Sequence, residues 1–286
     1  MKYALIARYR GCYSLVLMCR VLSVSRSGFY YWQMSGESVR KQRSDKIKTA
    51  IVNTFKVFKA RYGAPRITQE LKASGTQCCL NMVARLMKQV GLKARNGRAF
   101  KYSPSAEALY GVAENRLRRC FQADKPNQKW TTDITYIRVK SRWLYLATVM
   151  DLYSRRIIGW ALDTTMVESL VTRALEMAFA QRSTEPGLLI HSDRGVQYRA
   201  TRYQSLIRRY GGEPSMSRPG NCWDNAAMES FFSRLKVELV YAERFQSIEE
   251  ARSGIFEYIE IFYNRIRRHS SLGYLSPVEF ERRNQQ

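Results

Sequence analysis

Three runs of β-forming residues crowd into positions 129–163: KWTTDITYIRV, WLYLATVMDLY and RRIIGWALD. β-branched and aromatic residues dominate all three, and only a short basic turn separates the first two, so the spacing predicts an antiparallel meander. The pattern then changes period. MVESLVTRALEMAFAQ (166–181) reads as an amphipathic helix and LLIHSD (188–193) as a short apolar strand. A helix at 200–210, a short strand near PSMS and the helix DNAAMESFFSRLKVELV (224–240) complete the series. A strand triplet followed by alternating helix and strand builds neither a helical bundle nor a β-sandwich. It predicts an α/β fold, a mixed five-stranded sheet with helices packed on it, in the element order of an RNase H-like domain. One more amphipathic helix (247–264) and a basic tail (Arg265, Arg267, Arg268, His269) lead to Pro277.

The first third of the chain has helical periodicity throughout. Residues 12–33 read as helix, short turn, helix, with Ser23 or Ser25 placed to cap the second helix, a helix-turn-helix-like pattern. In 45–60, Ile47, Ile51 or Val52, Phe55 and Phe58 share one helix face. Gly63 and Pro65 mark the start of the next helix. LNMVARLMKQVGL then puts Val83, Leu86, Met87 and Val90 on one face, with Gly91 as the stop. Arg85, Lys88, Lys93, Arg95, Arg98 and Lys101 cluster at its exit, which makes this second helix-turn-helix the candidate DNA-contacting element. Residues 96–128 lack sustained periodicity apart from a short helix expected near ENRLRRCF. The expected organisation is an N-terminal helix-turn-helix-like segment (1–44), a helical DNA-binding domain (45–95), a basic linker (96–125), and an RNase H-like domain with a helical tail (126–286).

Charge narrows the function classes. The chain holds 48 Lys and Arg against 24 Asp and Glu, net +24, and 25 of the basic but only 6 of the acidic residues precede residue 126. Such a field favours a polyanionic partner, and nucleic acid above all. Six cysteines without CxxC spacing fit a reducing cytoplasm, and two histidines leave little material for a zinc site. No apolar run reaches the ~18 residues of a membrane span. The stretch GCYSLVLMC is interrupted by Arg20 and repeats with helical spacing, which argues against a signal peptide.

Three carboxylates stand out by context. Asp133 lies in the middle of a strand, where burying a charge is costly unless something pairs with it. Asp193 ends the fourth strand beside the turn residue Gly195, where open α/β sheets present ligands. Glu229 sits on the last core helix, whose start is marked by Asp224 and Asn225 as cap residues. Lys236 follows seven residues later, ~10.5 Å along the helix, on nearly the same face and within reach of a backbone phosphate. An RNase H-like sheet brings these three elements together. Three converging carboxylates are what a divalent-metal phosphodiester enzyme needs, because two cations ~3.5–4 Å apart stabilise both the attacking and the leaving oxygen.

At these residues the chain resembles a known family. NQKWTTDITYI, WLYLATVMDLYSRRIIGW, HSDRGVQY, NAAMESFFSRLKVE and YNRIRRHSSLGYLSPVEF match the catalytic second reading frame (OrfB type) of insertion-sequence-three transposases, of the DDE transposase and retroviral integrase superfamily. RYGAPRITQEL with VARLMKQVGL matches the helix-turn-helix that precedes that catalytic core, and the 35 residues between Asp193 and Glu229 equal the family spacing. The resemblance implies that Asp133, Asp193 and Glu229 are the metal-binding catalytic triad and that Lys236 is the accompanying basic residue. It implies two Mg²⁺ ions, with Mn²⁺ as substitute, nicking at element ends to free a 3′-OH, and strand transfer by that hydroxyl. The implied partners are double-stranded DNA (terminal inverted repeats and target), an upstream first-frame protein or a fusion with it, and further copies of the chain on DNA. No membrane is involved, and the implied location is the bacterial cytoplasm at the nucleoid. Two other classes of function are a DNA-binding regulator with a silent RNase H-like domain and a structure-specific nuclease.

Other residues have plainer expectations. Asp151 is expected to form a strand-end salt bridge with Arg155 or Arg156. His191 either orients a water or is a satisfied buried histidine. Trp130, Trp143 and Trp160 suit core packing, and Cys78 and Cys79 act as small apolar residues at a turn or helix start.

Overall fold

The computed structural model describes residues 2–34, 38–95, 112–218 and 222–284. Two compact units are present, Met1–Ala94 and Arg95–Gln286. Arg98, Lys101 and most of the expected linker lie outside the described residues.

The first unit is helical. Helices α1 (Lys2–Tyr9), α2 (Leu15–Val21) and α3 (Arg26–Met34) close over Ile6, Cys19 and Phe29. Ser25 is the cap residue between α2 and α3, since its Oγ accepts the Gly28 amide at 3.0 Å. Helices α4 (Val39–Val57), α5 (Ala64–Ala73) and α6 (Leu80–Gln89) bury Ile47, Ile51, Phe55, Val83, Leu86 and Met87 of the faces read from the sequence, together with Ile67 and Leu71 of α5, while Val90 is exposed. Two successive left-handed residues, Lys59 and Ala60, stop α4. Gly91, at φ +71°, stops α6 by letting the Leu92 amide reach back to Met87 O at 2.9 Å.

The second unit carries a five-stranded sheet. Strands β1 (Lys129–Val139), β2 (Arg142–Asp151) and β3 (Ile157–Asp163) form the antiparallel meander. Helix α7 (Glu168–Gln181) crosses to β4 (Leu189–Ser192), and α8 (Val196–Arg199) with α9 (Thr201–Arg209) leads to β5 (Glu213–Met216). The order is β3-β2-β1-β4-β5, with β1, β4 and β5 mutually parallel. The central strand β1 is buried on both faces over Trp130–Thr132 and alternates between buried and exposed from Thr135 onward, as the sheet leaves helix cover. Leu170, Val171, Ala174, Leu175 and Ala178 of α7 pack on Val149, Ile158 and Trp130. At Gly159 the helix lies against the strand backbone, and an added Cβ would stand 2.8 Å from the Ala178 amide nitrogen.

After β5 come α10 (Ala226–Leu235), a π-helical segment (Lys236–Val240) and the single turn α11 (Tyr241–Glu243). Helix α12 (Ile248–Phe256) runs into a second π segment (Glu257–Tyr263), and α13 (Pro277–Asn284) ends the described chain. Buried ion pairs lock this C-terminal part in place. Glu238 receives the Arg267 guanidinium at 2.7 and 3.0 Å and the Tyr258 hydroxyl at 2.9 Å. Glu281 receives Arg156, Arg182 and the Ser154 hydroxyl. No helix among the described residues is long and apolar enough to cross a membrane.

Four local expectations are corrected. Residues 114–121 are not helical; they run beside β5, where the Arg116 and Leu117 amides donate to Ser215 Oγ, so covering a sheet edge outweighs helix propensity. Asp151 makes no ion pair with Arg155 or Arg156. It accepts the Asn127 and Tyr153 amides at 3.0 Å each, and Arg156 turns to Glu281. Asp224 and Asn225 do not cap α10, since both are occupied with tertiary partners. Trp130 is fully buried, but Trp143 is 47% exposed on the two-stranded end of the β1–β2 hairpin, edge-on to Tyr136.

Candidate active site

Strand register brings the first two carboxylates together. β1 pairs in parallel with β4 as Lys129↔Leu189, Trp130↔Ile190 and Thr131↔His191. Asp133 and Asp193 each follow the last registered pair, Thr131↔His191, by two residues, and the Asp193 charge acts on the Asp133 carboxyl. Asp193 is just past the end of β4, where the turn at Gly195 returns its amide to Asp193 Oδ1 at 2.8 Å. Asp133 Oδ1 likewise accepts the Ile134 amide at 2.8 Å.

Helix α10 supplies the third. Asn225, immediately before it, accepts the Thr131 hydroxyl and donates to Thr132 O at 3.2 Å, so the start of α10 is tied to β1 at two successive residues. Buried Asp224 ties the same point elsewhere, to Arg119, Arg218 and Asn115. Phe231, Phe232 and Leu235 turn the apolar face of α10 inward and leave Glu229 on the accessible face, one turn beyond the Asn225 tether.

Burial is the first influence on all three carboxyls. Burial, then the facing Asp193 carboxylate, pushes the Asp133 pKa well above the usual range; Glu229 adds to this, while the Ile134 amide and Lys236 oppose it. Protein packed around the Asp193 and Glu229 carboxyls raises both, and the Gly195 amide partly offsets the rise at Asp193. None of the three makes an ion pair among the described residues, nor do these residues include a group of three His, Cys, Asp or Glu already arranged around a metal position. The closest element of such a site is the Asp133–Asp193 pair, with Glu229 within electrostatic reach of Asp133. Three hard oxygen donors that repel one another suit a divalent cation such as Mg²⁺.

Lys236 stands beside this group. Its ammonium lies 4.6 Å from the Tyr136 ring centroid and feels the Asp133 charge, while burial lowers its pKa. Two residues to which sequence reasoning gave no site role also belong here. Tyr198, fully buried on α8, points its hydroxyl at Thr132 Oγ1 (3.4 Å), and its pKa is raised by burial and then by Asp133 and Asp193. Asn225 is the tether just described. The buried side-chain amide and the buried aromatic hydroxyl inside the motifs around Asp193 and Glu229 were the available signal. His191 is the satisfied buried histidine: it lies between Ser215 Oγ (2.8 Å) and Ser217 Oγ (3.1 Å), and burial lowers its pKa to about 4.

The basic residues singled out near α6 divide. Arg85, Lys88 and Lys93 are exposed, whereas Arg95 is half-buried and donates to Glu238 O at 2.7 Å.

Comparisons with known proteins cover most of the chain. Residues 42–100 match an HTH-like domain, and 123–222 and 210–277 match two integrase core domain families. The transposase InsF of insertion sequence IS3A from Escherichia coli K12 is 44% identical over 288 residues, 99% of both chains. An uncharacterized 31 kDa protein of insertion element IS600 from Shigella sonnei is 41% identical, covering 92% of this chain and 97% of that one. Among solved structures, the integrase catalytic core of HTLV-2, determined with magnesium, covers 55% of this chain at 13% identity and a TM-score of 0.41, too distant to carry chemistry across. With nearly half of its residues shared end to end with InsF, the chain belongs to the IS3 family of insertion-sequence transposases and carries the integrase core of a DDE-type enzyme.

Proposed function

We propose that this transposase nicks DNA at the ends of its insertion sequence and joins the freed 3′-hydroxyl to a new phosphodiester, with Asp133, Asp193 and Glu229 as the ligands of two divalent cations, Mg²⁺ by preference. The observation that supports the reading is that the Asp193 and Glu229 charges both act on Asp133, just beyond the parallel β1–β4 pairing, with no ion pair to any of the three among the described residues. When bound, the cations supply charge neutralisation and an activated oxygen nucleophile at neutral pH. The chain's own part is positional. β1 and β4 fix two ligands on rigid strands, and Asn225 sets the third by anchoring α10. Lys236, on the same side of α10, holds a backbone phosphate beside the reacting one.

Both steps balance without an external energy source. In the first, a water oxygen forms a bond to phosphorus and the P–O3′ bond breaks, leaving the 3′-hydroxyl. In the second, that hydroxyl forms the new P–O bond at the target and an equivalent P–O bond breaks. Double-stranded DNA is the partner, and the exposed Arg85, Lys88 and Lys93 on the HTH-like domain form part of its grip.

The test is a strand-transfer assay on DNA carrying the element ends, with and without Mg²⁺, comparing wild type with Glu229→Gln. Joined products that require the metal and vanish in the variant support the reading. Equal products from both proteins remove it, and nicks without joining convert it to a nuclease.

A further inference from the structure

The second unit also contains a cavity of the opposite character. It measures about 370 Å³ and lies between one face of α10, the β2–β3 turn and the segment that follows the second π segment. Ala226, Ser230 and Arg234, spaced i, i+4 and i+8, form its α10 side. Arg155, Arg267 and Ser270 also line it. No carboxylate lines it among the described residues.

Several arginines of this unit are paired. Arg119, Arg156, Arg182, Arg218 and Arg267 each have a carboxylate. Arg155 and Arg234 have no ion pair or side-chain hydrogen bond among the described residues. The guanidinium of Arg155 is half-buried, and burial lowers its pKa, so its charge is held out of water without a counter-ion. The turn that presents it is braced on all sides. Asp151 takes the Tyr153 amide, Ser154 and Arg156 bind Glu281, and the Ile157 amide is taken by Asn264. Arg155 itself adopts a left-handed φ of +61°, a costly conformation for a non-glycine residue that the braced turn imposes.

We propose that this cavity is a subsite for a backbone phosphate of DNA, held by Arg155 and Arg234 with hydroxyl donors from Ser230 and Ser270. Ser230 follows Glu229 directly, so the subsite lies about 100° round α10 from the proposed metal ligand and serves a phosphate flanking the reacting one. Guanidinium forks suit the tetrahedral, multi-acceptor phosphate. The proposal rests on the reading that DNA is the substrate, but not on the chemistry of the carboxylates.

The experiment measures binding of a fluorescein-labelled duplex in EDTA-containing buffer across a range of salt, for wild type, Arg155→Gln, Arg234→Gln and the double variant. Each lost phosphate contact is expected to reduce the slope of log K against log salt by about 0.9, so a fourfold rise in salt weakens each single variant about 3.5-fold less than wild type. A scan of neutral methylphosphonate linkages then locates the phosphate: one position is expected to weaken wild type and leave the double variant unaffected. Arg234 is exposed, so its variant reports even if Arg155→Gln melts without cooperativity; Arg155→Lys, which keeps the charge, is expected to keep the slope. Unchanged slopes with intact binding overturn the subsite alone. Inorganic phosphate that raises the melting midpoint in an Arg155-dependent way, with duplex slopes unchanged, also overturns it in favour of a free-anion site. Failure of wild type to bind duplex at all overturns the DNA reading and the subsite with it.

Discussion

Two sets of carboxylates share the integrase unit and are treated in opposite ways. Asp224, Glu238 and Glu281 are buried, and each is met by arginine: Arg119 and Arg218, Arg267, and Arg156 with Arg182. Arginine partners hold the Asp224 and Glu281 pKa values below the usual range despite burial. Asp133, Asp193 and Glu229 meet only amides, one another and the more distant Lys236, and their pKa values rise. A chain with 48 basic residues has cations to spare. These three have none as an ion-pair partner among the described residues, and the Asp193 and Glu229 charges raise the Asp133 pKa further. The paired set holds the C-terminal helices and the start of α10; the unpaired set is the one proposed above to bind the cations.

Neutralising one member of each set therefore has different consequences, and the largest is on turnover. Asp193→Asn or Glu229→Gln is expected to lower strand transfer about 10³-fold or more while duplex binding in EDTA stays at the wild-type level. A variant retaining activity would put both carboxylates in the structural class. Glu238→Ala acts on the other set: it leaves Arg267 buried without its carboxylate and is expected to cost about 3–5 kcal/mol in urea unfolding. A cost under about 1 kcal/mol, the level of a surface pair, would erase the contrast.

His191 sharpens the comparison from within β4, two residues from Asp193. Its folded pKa of about 4 lies below the unfolded value near 6.5, so the unfolded chain takes up the proton first. The stability this neutral imidazole contributes, about 3 kcal/mol, is complete above pH ~6.5 and is lost as pH falls toward ~4. His191→Gln is expected to flatten the unfolding midpoint across that window; an unchanged acid slope would show that the imidazole is not the titrating group. The smallest effect has the opposite sign to Glu238→Ala. Asp133→Asn removes the most repelled charge and is expected to raise the melting midpoint in metal-free buffer, by about 2–4 °C for each kcal/mol relieved. A fall would mean that Asp133 is held by a partner.

The sequence exposed one half of this contrast and hid the other. Asp133, Asp193 and Glu229 could be singled out because each breaks or ends a local pattern: a charge in a β-run, a turn after an apolar strand, an acid on an amphipathic helix. The strand triplet and the later alternation were likewise local in origin. Pairing partners are not local. Arg119 and Asp224 are 105 residues apart, and Arg156 and Glu281 are 125. Asp151 therefore looked like the partner of its neighbours, although the turn bends Arg156 toward α13. Asn225 has the composition of a cap, yet the proximity of β1 recruits it as a tether. Trp143 looked like core, but the sheet outruns its helix cover at that end of the hairpin. The π segments after α10 and α12, which bring Glu238 to Tyr258 and Arg267, have no periodicity signal of their own.

The central claim is that the unpaired carboxylates form the cation site. Its most direct test is the melting midpoint of wild type and Asp193→Asn, without DNA, as Mg²⁺ or Mn²⁺ is titrated at constant ionic strength. A ligand that binds only the folded state stabilises it by RT ln(1 + [L]/Kd). The account predicts a saturating rise in wild type that is absent in Asp193→Asn. Equal rises in both proteins, or none in either, would contradict it.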